Sequence, residues 1–139
     1  MFHDAVDVAG STTKHSPTDS YSISNNQVRS ILQVHSGQIL VGGYSGIDLF
    51  DSNRNNFKRL ELNMLLYSSE SNAGNVQYLF QDDLNSIWVG TSNGLYSYNM
   101  NSNEYQMFLN NPGDENSLSH NRVECIFQDN DKNIWIGTF

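Results

Sequence analysis

From Val28 to the end of the chain, apolar residues recur at short period and are broken every five to ten positions by turn-forming residues, which predicts strands rather than helices. The clearest stretch predicts four strands: Val76 to Gln81, Ser86 to Gly90, Leu95 to Tyr98 and Glu104 to Phe108. The turns between them have their own chemistry. Asp82-Asp83-Leu84-Asn85 offers side chains that cap a tight reversal, Asn93-Gly94 suits the positive φ of a type I′ hairpin, and Asn99 to Asn103 makes a looser connection. The same reading places strands at Val28 to Val34, Gln38 to Gly42, Ile47 to Phe50 and Phe57 to Glu61, then at Val123 to Gln128 and Asn133 to Gly137.

These stretches are copies of one another. Val28, Gln33, Ile39, Gly42, Gly46 and Phe57 are answered by Val76, Gln81, Ile87, Gly90, Gly94 and Tyr105, each 48 residues later. Val76, Gln81, Ile87, Trp88 and Gly90 are answered 47 residues later by Val123, Gln128, Ile134, Trp135 and Gly137. A fixed spacing of this size marks a unit that cannot bury its apolar surface alone and must stack on copies of itself. Four consecutive antiparallel strands in about 45 residues make the blade of a β-propeller, which normally has four to eight blades. The expected fold is therefore all-β, a partial β-propeller of about two and a half four-stranded antiparallel blades. It divides into an N-terminal arm or linker at 1–21, blades at 22–69 and 70–116, and a truncated blade of two strands at 117–139.

Ile87-Trp88-Val89 and Ile134-Trp135-Ile136 are apolar on both faces, as suits a sheet held between two neighbours. Trp88 and Trp135 are thus expected in blade-to-blade packing rather than as platforms for a sugar ring, with Gly90, Gly94 and Gly137 as structural positions of the repeat. A blade with one neighbour leaves half its surface bare, so cover by further blades, or self-association, is expected.

Charge narrows the partners. A net charge of −8 and a pI near 4.6 argue against a nucleic acid held through its phosphates and against a polybasic grip on anionic lipid. No window approaches the roughly 18 uninterrupted apolar residues of a membrane span, so direct membrane contact by this segment is not expected. Met1-Phe-His-Asp-Ala-Val-Asp lacks the basic start and apolar stretch of a secretory signal, so an exported parent would have to begin elsewhere. The single cysteine, Cys125, sits between Glu124 and Ile126 in a predicted strand, where a buried, inert thiol is expected.

Ser22 to Val28 (SISNNQV), Ser117 to Val123 (SLSHNRV), Asn133 to Thr138 (NIWIGT) and Ile87 to Tyr96 (IWVGTSNGLY) resemble the two-component regulator propeller repeat. The resemblance covers roughly residues 15 to 139. It implies the extracytoplasmic sensor region of a hybrid two-component protein, in which seven-bladed propellers precede a β-sandwich, one membrane helix, a histidine kinase and response-regulator parts. It also implies a periplasmic location and a glycan as signal. Departures from the pattern are Leu40 where Trp is expected, Gly43 where Thr is expected, and Glu70 to Asn75 in place of Ser-Leu-Ser-Asn-Asn.

No catalytic constellation emerges. Asp129, Asp131 and Asn133 have the spacing that opens a calcium loop, but Ile134 stands where the sharp turn needs Gly, so a turn is the expectation, and no metal or cofactor is expected. His3, His15, His35 and His120 lack metal-ligand spacing and are expected at surfaces or turns. The serines at 11 and 16 to 24 lack a nucleophile-elbow context, and Asp4 and Asp7 lie in a segment with no clear element to fix their separation.

Ligand contacts are instead expected on the loops that share one face of a propeller, the d-to-a connections at 62–75 and 110–122 and the b-to-c hairpins. The candidates are Tyr44, Tyr67, Asn72, Asn75, Asn93, His120, Asn121 and Arg122, whose amide, hydroxyl and guanidinium groups suit a polyhydroxylated oligosaccharide. The expected function is a non-enzymatic sensor fragment that binds or relays a signal to a kinase. The alternative is a structural protein-interaction module with no small-molecule ligand; a propeller lyase or glycosidase would need converging acid and base groups that are not found.

Overall fold

The computed structural model describes residues 6–8, 11–60, 62 and 75–139, and among them there are twelve strands and no helix. A hairpin pairs β1 (Val6–Val8) with β2 (Ser11–Thr13). β3 (Val28–Gln33), β4 (Ile39–Gly43), β5 (Gly46–Asp51) and β6 (Asn56–Arg59) form one antiparallel sheet in chain order. β7 (Val76–Gln81), β8 (Ile87–Thr91), β9 (Gly94–Tyr98) and β10 (Tyr105–Phe108) form a second, and β11 (Val123–Gln128) pairs with β12 (Ile134–Thr138) alone. The chain is all-β, a partial β-propeller, with strands within a residue or two of those read from the pattern.

The copies share fine detail as well as order. Each first strand has a bulge at the same place, where the register skips between Val28 and Ser30, Val76 and Tyr78, and Val123 and Cys125. The turn after it needs one left-handed residue, supplied by Gly37 (φ 90°), Asn85 (φ 68°) and Lys132 (φ 69°). The hairpin at Asn93-Gly94 is not the expected type I′. Positive φ falls on Gly94 alone (120°), because Thr91 Oγ1 accepts from Asn93 N at 3.1 Å and donates to Gly94 O at 2.8 Å, closing the turn with ordinary φ at Ser92 and Asn93.

Blades stack through a glycine. A Cβ at Gly42 would lie 2.7 Å from Val76 Cγ1 and 3.0 Å from Leu79 Cδ1, and one at Gly90 would lie 2.6 Å from Val123 Cγ1. The second strand of one blade thus approaches the first strand of the next more closely than any side chain permits. Around these contacts Val34, Leu40 and Ile47 of the first blade cluster with Val76, Leu79, Ile87 and Val89 of the second. Leu95 and Trp88 of the second blade cluster with Val123, Ile126, Ile134 and Ile136 of the third unit. A glutamine adds a polar staple at each joint: His35 N donates to Gln81 Oε1 at 2.6 Å, and Asp83 N to Gln128 Oε1 at 3.2 Å.

Trp88 is half-buried at the second joint, stacked on Phe108 with centroids 5.8 Å apart, and its Nε1 donates to Asp82 Oδ2 at 2.8 Å. Asp82 is itself buried and also accepts from Leu84 N and Ser86 N. The departure at Leu40 has a matching one: where the second blade has Asp82 and Trp88, the first has Val34 and Leu40, both buried. An apolar pair replaces a hydrogen-bonded pair, so neither partner is left unsatisfied. Gly43 has a local cause too, since a Cβ there would meet Gln27 O at 2.2 Å.

Two expectations fail at the third unit. Trp135, expected in blade-to-blade packing, is 61% exposed, and Cys125, expected buried and inert, is an exposed free thiol. Both residues lie on a two-stranded sheet whose outer face carries no further blade among the described residues.

The segment expected to be an unpatterned arm has structure of its own. Asn110 to Val123 repeats His15 to Val28 at an offset of 95 positions and shares several of its hydrogen bonds. Ser16 N donates to Ser22 Oγ at 2.9 Å as Asn111 N does to Ser117 Oγ at 2.8 Å. Asp19 N and Ser22 N bond Ser16 O and Asp19 O as Asp114 N and Ser117 N bond Asn111 O and Asp114 O. β2 leads into this loop as β10 leads into the other, so β1 and β2 hold the places of the third and fourth strands of a blade. The loop is then tied to the first blade by Asp48, whose Oδ2 accepts from Ser24 N and Ser24 Oγ, both at 2.7 Å, while its Oδ1 pairs with Arg59.

Gly90→Ala is expected to destabilise by about 1 to 3 kcal/mol, the usual cost of overpacking, while Gly113→Ala in an open turn stays within about 0.5 kcal/mol in denaturant melts. Trp88→Ala should cost about 3 kcal/mol in the same assay, and Trp135→Ala clearly less because its ring is mostly in water.

Candidate binding face

The second-to-third-strand turns and the loops entering each first strand lie at one end of the sheets, held there by a repeated backbone bond. Tyr44 N donates to Gln27 O at 3.1 Å, Ser92 N to Asn75 O at 3.1 Å and Phe139 N to Arg122 O at 3.0 Å. A further bond, Gly94 N to Asn121 O at 2.6 Å, carries this end from the second blade to the third unit. The scaffold therefore gathers Tyr44, Asn75, Asn93, His120, Asn121 and Arg122 at one end. Tyr67 and Asn72 lie outside the described residues.

Their environments differ sharply. Tyr44 is 56% exposed, at the tip of its turn. Asn121 is engaged within its own loop, where its Oδ1 accepts from Asn110 N at 2.6 Å and Asn110 Nδ2 in turn donates to Leu118 O at 2.6 Å. Asn26 holds the first loop in the same way, accepting from His15 N at 2.7 Å. Asn75 is half-buried and its Oδ1 has no partner among the described residues, although its carbonyl also takes Ser92 Oγ at 3.3 Å. Asn93 is half-buried, with its backbone N–H held by Thr91.

His120, Arg122 and Phe139 form a small cluster. The Arg122 guanidinium lies 5.2 Å from the Phe139 ring centroid, the His120 ring lies 6.0 Å from it, and Arg122 Nε pairs with Glu124 at 2.5 Å. Phe139 is 80% exposed. This arrangement offers a cation, an imidazole and a flat apolar ring side by side, groups able to hydrogen-bond and stack.

A feature that the residue pattern does not reveal is a cleft of about 640 Å3 on the first blade, bordered by Tyr21, Ile39, Phe50, Asp51, Phe57 and Arg59. Phe50 and Phe57 line it as a tilted pair with centroids 5.1 Å apart. Its one signal in the sequence is two aromatic residues on neighbouring strands, which is also an ordinary core pattern.

At the other end of the third unit, the calcium-like spacing is used up by a turn. Asp129 Oδ1 accepts from Asp131 N and Asn133 N, both at 2.9 Å, and Oδ2 accepts from Trp135 Nε1 at 2.7 Å and Asn133 Nδ2 at 3.0 Å. The bond from Trp135, then that from Asn133, holds the Asp129 carboxyl below its ordinary pKa. No cluster of three or more metal-ligating side chains occurs among the described residues.

Residues 117–139 match the family described as two component regulator propeller. The matched segment comprises the Ser117 to Arg122 loop with β11 and β12, and the first two strands of both earlier blades share the register of that pair. Solved structures similar to the chain include the extracellular domain of BT4673 from B. thetaiotaomicron, assigned to a hybrid two component system, at 22% identity and a TM-score of 0.48 over 92% of this chain and 22% of that one. A second BT4673 structure, assigned to a one component system, has 23% identity and a TM-score of 0.46 over 84% and 21%. The extracellular domain of BT3049 from B. thetaiotaomicron, assigned to a hybrid two component system, has 21% identity and a TM-score of 0.41 over 92% and 28%. No curated protein matches the chain. The chain spans less than a third of the length of each of these structures.

Because the Asp129 carboxyl is held below its ordinary pKa, its contribution to the turn is complete above the unfolded carboxylate pKa of about 4 and is lost as pH falls through the folded value. The Trp135 indole N–H resonance should therefore shift on acidification with a midpoint below that of an ordinary aspartate. In Asp129→Asn, NMR titration should show that transition gone.

Proposed function

We propose that this chain, carrying a two component regulator propeller repeat, is part of the extracytoplasmic, periplasmic sensing propeller of a hybrid two-component signalling protein, and that it binds or relays a signal without catalysing a reaction. The observation that carries this reading is the repeat at 117–139, together with the register that extends the same unit back through both earlier blades.

In this reading the stacked sheets are a rigid support and the loop end is the receiving surface. A glycan is the favoured signal class, since Tyr44, His120 and Arg122 offer stacking and hydrogen-bonding groups on that end. A ligand that binds one arrangement of neighbouring blades better than another shifts the population toward it, and a kinase coupled to that geometry would respond.

One observation favours the second reading, a protein-interaction module. The amides of Asn26, Asn110 and Asn121 are engaged in holding the loops, whereas large apolar side chains such as Phe127 and Trp135 stand exposed on the sheet face.

Calorimetric titration with a panel of oligosaccharides separates the two. Saturable, sugar-selective binding that weakens at least tenfold in Tyr44→Ala and Arg122→Ala, with unchanged melting temperature, is the outcome expected of the sensor reading. Absence of heat with every saccharide at millimolar concentration would turn the assignment toward the interaction module.

A further inference from the structure

We propose that Asn93 is a spontaneous modification site, a point of deamidation that the joint between the second blade and the third unit keeps latent. Asn93-Gly94 is the one Asn-Gly pair in the chain. Deamidation begins when the backbone nitrogen of the next residue turns back onto the asparagine side-chain carbonyl, and a following side chain obstructs that approach. Glycine has none and reaches backbone conformations closed to other residues, so this pair is the most reactive of the chain's asparagines once the fold is lost.

The reaction consumes only water, and nothing is oxidised or reduced. The Gly94 nitrogen attacks Cγ of Asn93 and forms a new N–Cγ bond. The bond from Cγ to the side-chain nitrogen breaks, and ammonia leaves with the proton that Gly94 gave up. Water then opens the cyclic succinimide. Attack at Cγ restores the backbone and leaves aspartate, whereas attack at the backbone carbonyl carbon of residue 93 leaves isoaspartate, whose main chain runs through Cγ. Either product adds a carboxylate, ionised at neutral pH, to a chain already at −8.

In the folded chain the nucleophile and the backbone around it are both held. The Gly94 N–H donates to Asn121 O at 2.6 Å, across the joint, and so keeps the proton that the attack must remove. The buried Thr91 hydroxyl accepts from Asn93 N at 3.1 Å and donates to Gly94 O at 2.8 Å, which fixes the peptide before Asn93 and the one after Gly94. Gly94 is buried, and a Cβ there would lie 2.8 Å from Leu109 Cδ2, so the turn has little room to rotate. Asn121 is held in turn by Asn110 N, which donates to its Oδ1 at 2.6 Å. A line of bonds therefore runs from Asn110 through Asn121 to Gly94, and it breaks when the joint opens. The same opening exposes the Gly94 N–H to solvent, so deamidation of Asn93 and hydrogen exchange at Gly94 share one step. Isoaspartate adds a carbon to the main chain of the turn, which can no longer remake these bonds in register. A transient opening of the joint is thereby recorded permanently at the loop end.

Peptide mapping by mass spectrometry, with an enzymatic assay for isoaspartate, follows residue 93 of the 139-residue chain during incubation at mildly alkaline pH. In urea, Asn93 should convert ahead of every other asparagine, including Asn101 and Asn116, each of which is followed by serine. Without urea it should convert about tenfold more slowly, the fraction of time the joint stands open setting the rate. Asn121→Ala, which removes the acceptor for Asn110 N, should speed conversion about fivefold, with a matching rise in Gly94 amide exchange measured by NMR. Should that variant unfold, urea below the unfolding transition of the wild-type chain gives the same comparison, with conversion and exchange rising together. Conversion as fast in the folded chain as in urea, another asparagine leading in urea, or conversion that does not follow Gly94 exchange would each overturn the proposal.

Discussion

The approach of one strand to a glycine in the preceding blade is the constraint on which the rest of this molecule depends. Gly42 and Gly90 have no side chain, so Val76 and Val123 lie against bare backbone, and the sheets come close enough for Leu79 and Ile126 to be sealed from water. The glutamine staples and the apolar clusters at each joint follow from that spacing. A single added methyl group at either position would meet the partner at a distance no real contact shows, and a close-packed interior has little room to yield.

What surrounds this constraint is allowed to vary in chemistry while the backbone repeats. Val34 and Leu40 occupy the places of Asp82 and Trp88, and an exposed Lys132 takes the left-handed position that Gly37 and Asn85 take elsewhere, its amine paired with Asp83 of the blade before. The loop end varies most. Asn26 and Asn121 keep one structural role, whereas Tyr44, Ser92 and Phe139 stand at one repeat position with three different side chains. A rigid, self-similar support with a variable rim is the arrangement expected of a receiving surface, and it is the physical basis of the sensor reading.

Much of this was legible without coordinates. The 48- and 47-residue spacings exposed the repeat, and alternation of apolar and polar residues located the strands, because the period of side chains along a strand is a local property. The hairpin at Asn93-Gly94 departs from the type I′ expectation because Thr91 closes it with a side chain, which a dipeptide rule does not consider. Ser22 to Val28 is legible as a counterpart of Ser117 to Val123, but the N-terminal hairpin and the turn at Ser16 to Ser22 are not, because their counterpart lies 95 positions away, past an intervening copy that departs from the pattern at Glu70 to Asn75. Among the candidate ligand contacts, the polar character of Asn121 was visible, but its engagement with Asn110 N depends on where the loop folds back.

The residue pattern by itself determined the order and pairing of the strands from Val28 onward and the places of the structural glycines, since these follow from side-chain size, polarity and spacing along the chain. Tertiary structure alone decided burial. Trp88 and Trp135, or Ile126 and Ile31, are nearly interchangeable in sequence, yet one of each pair is covered and the other open. Exposure depends on whether a neighbouring blade is present to displace water, and that neighbour is set by how separate copies stack in space.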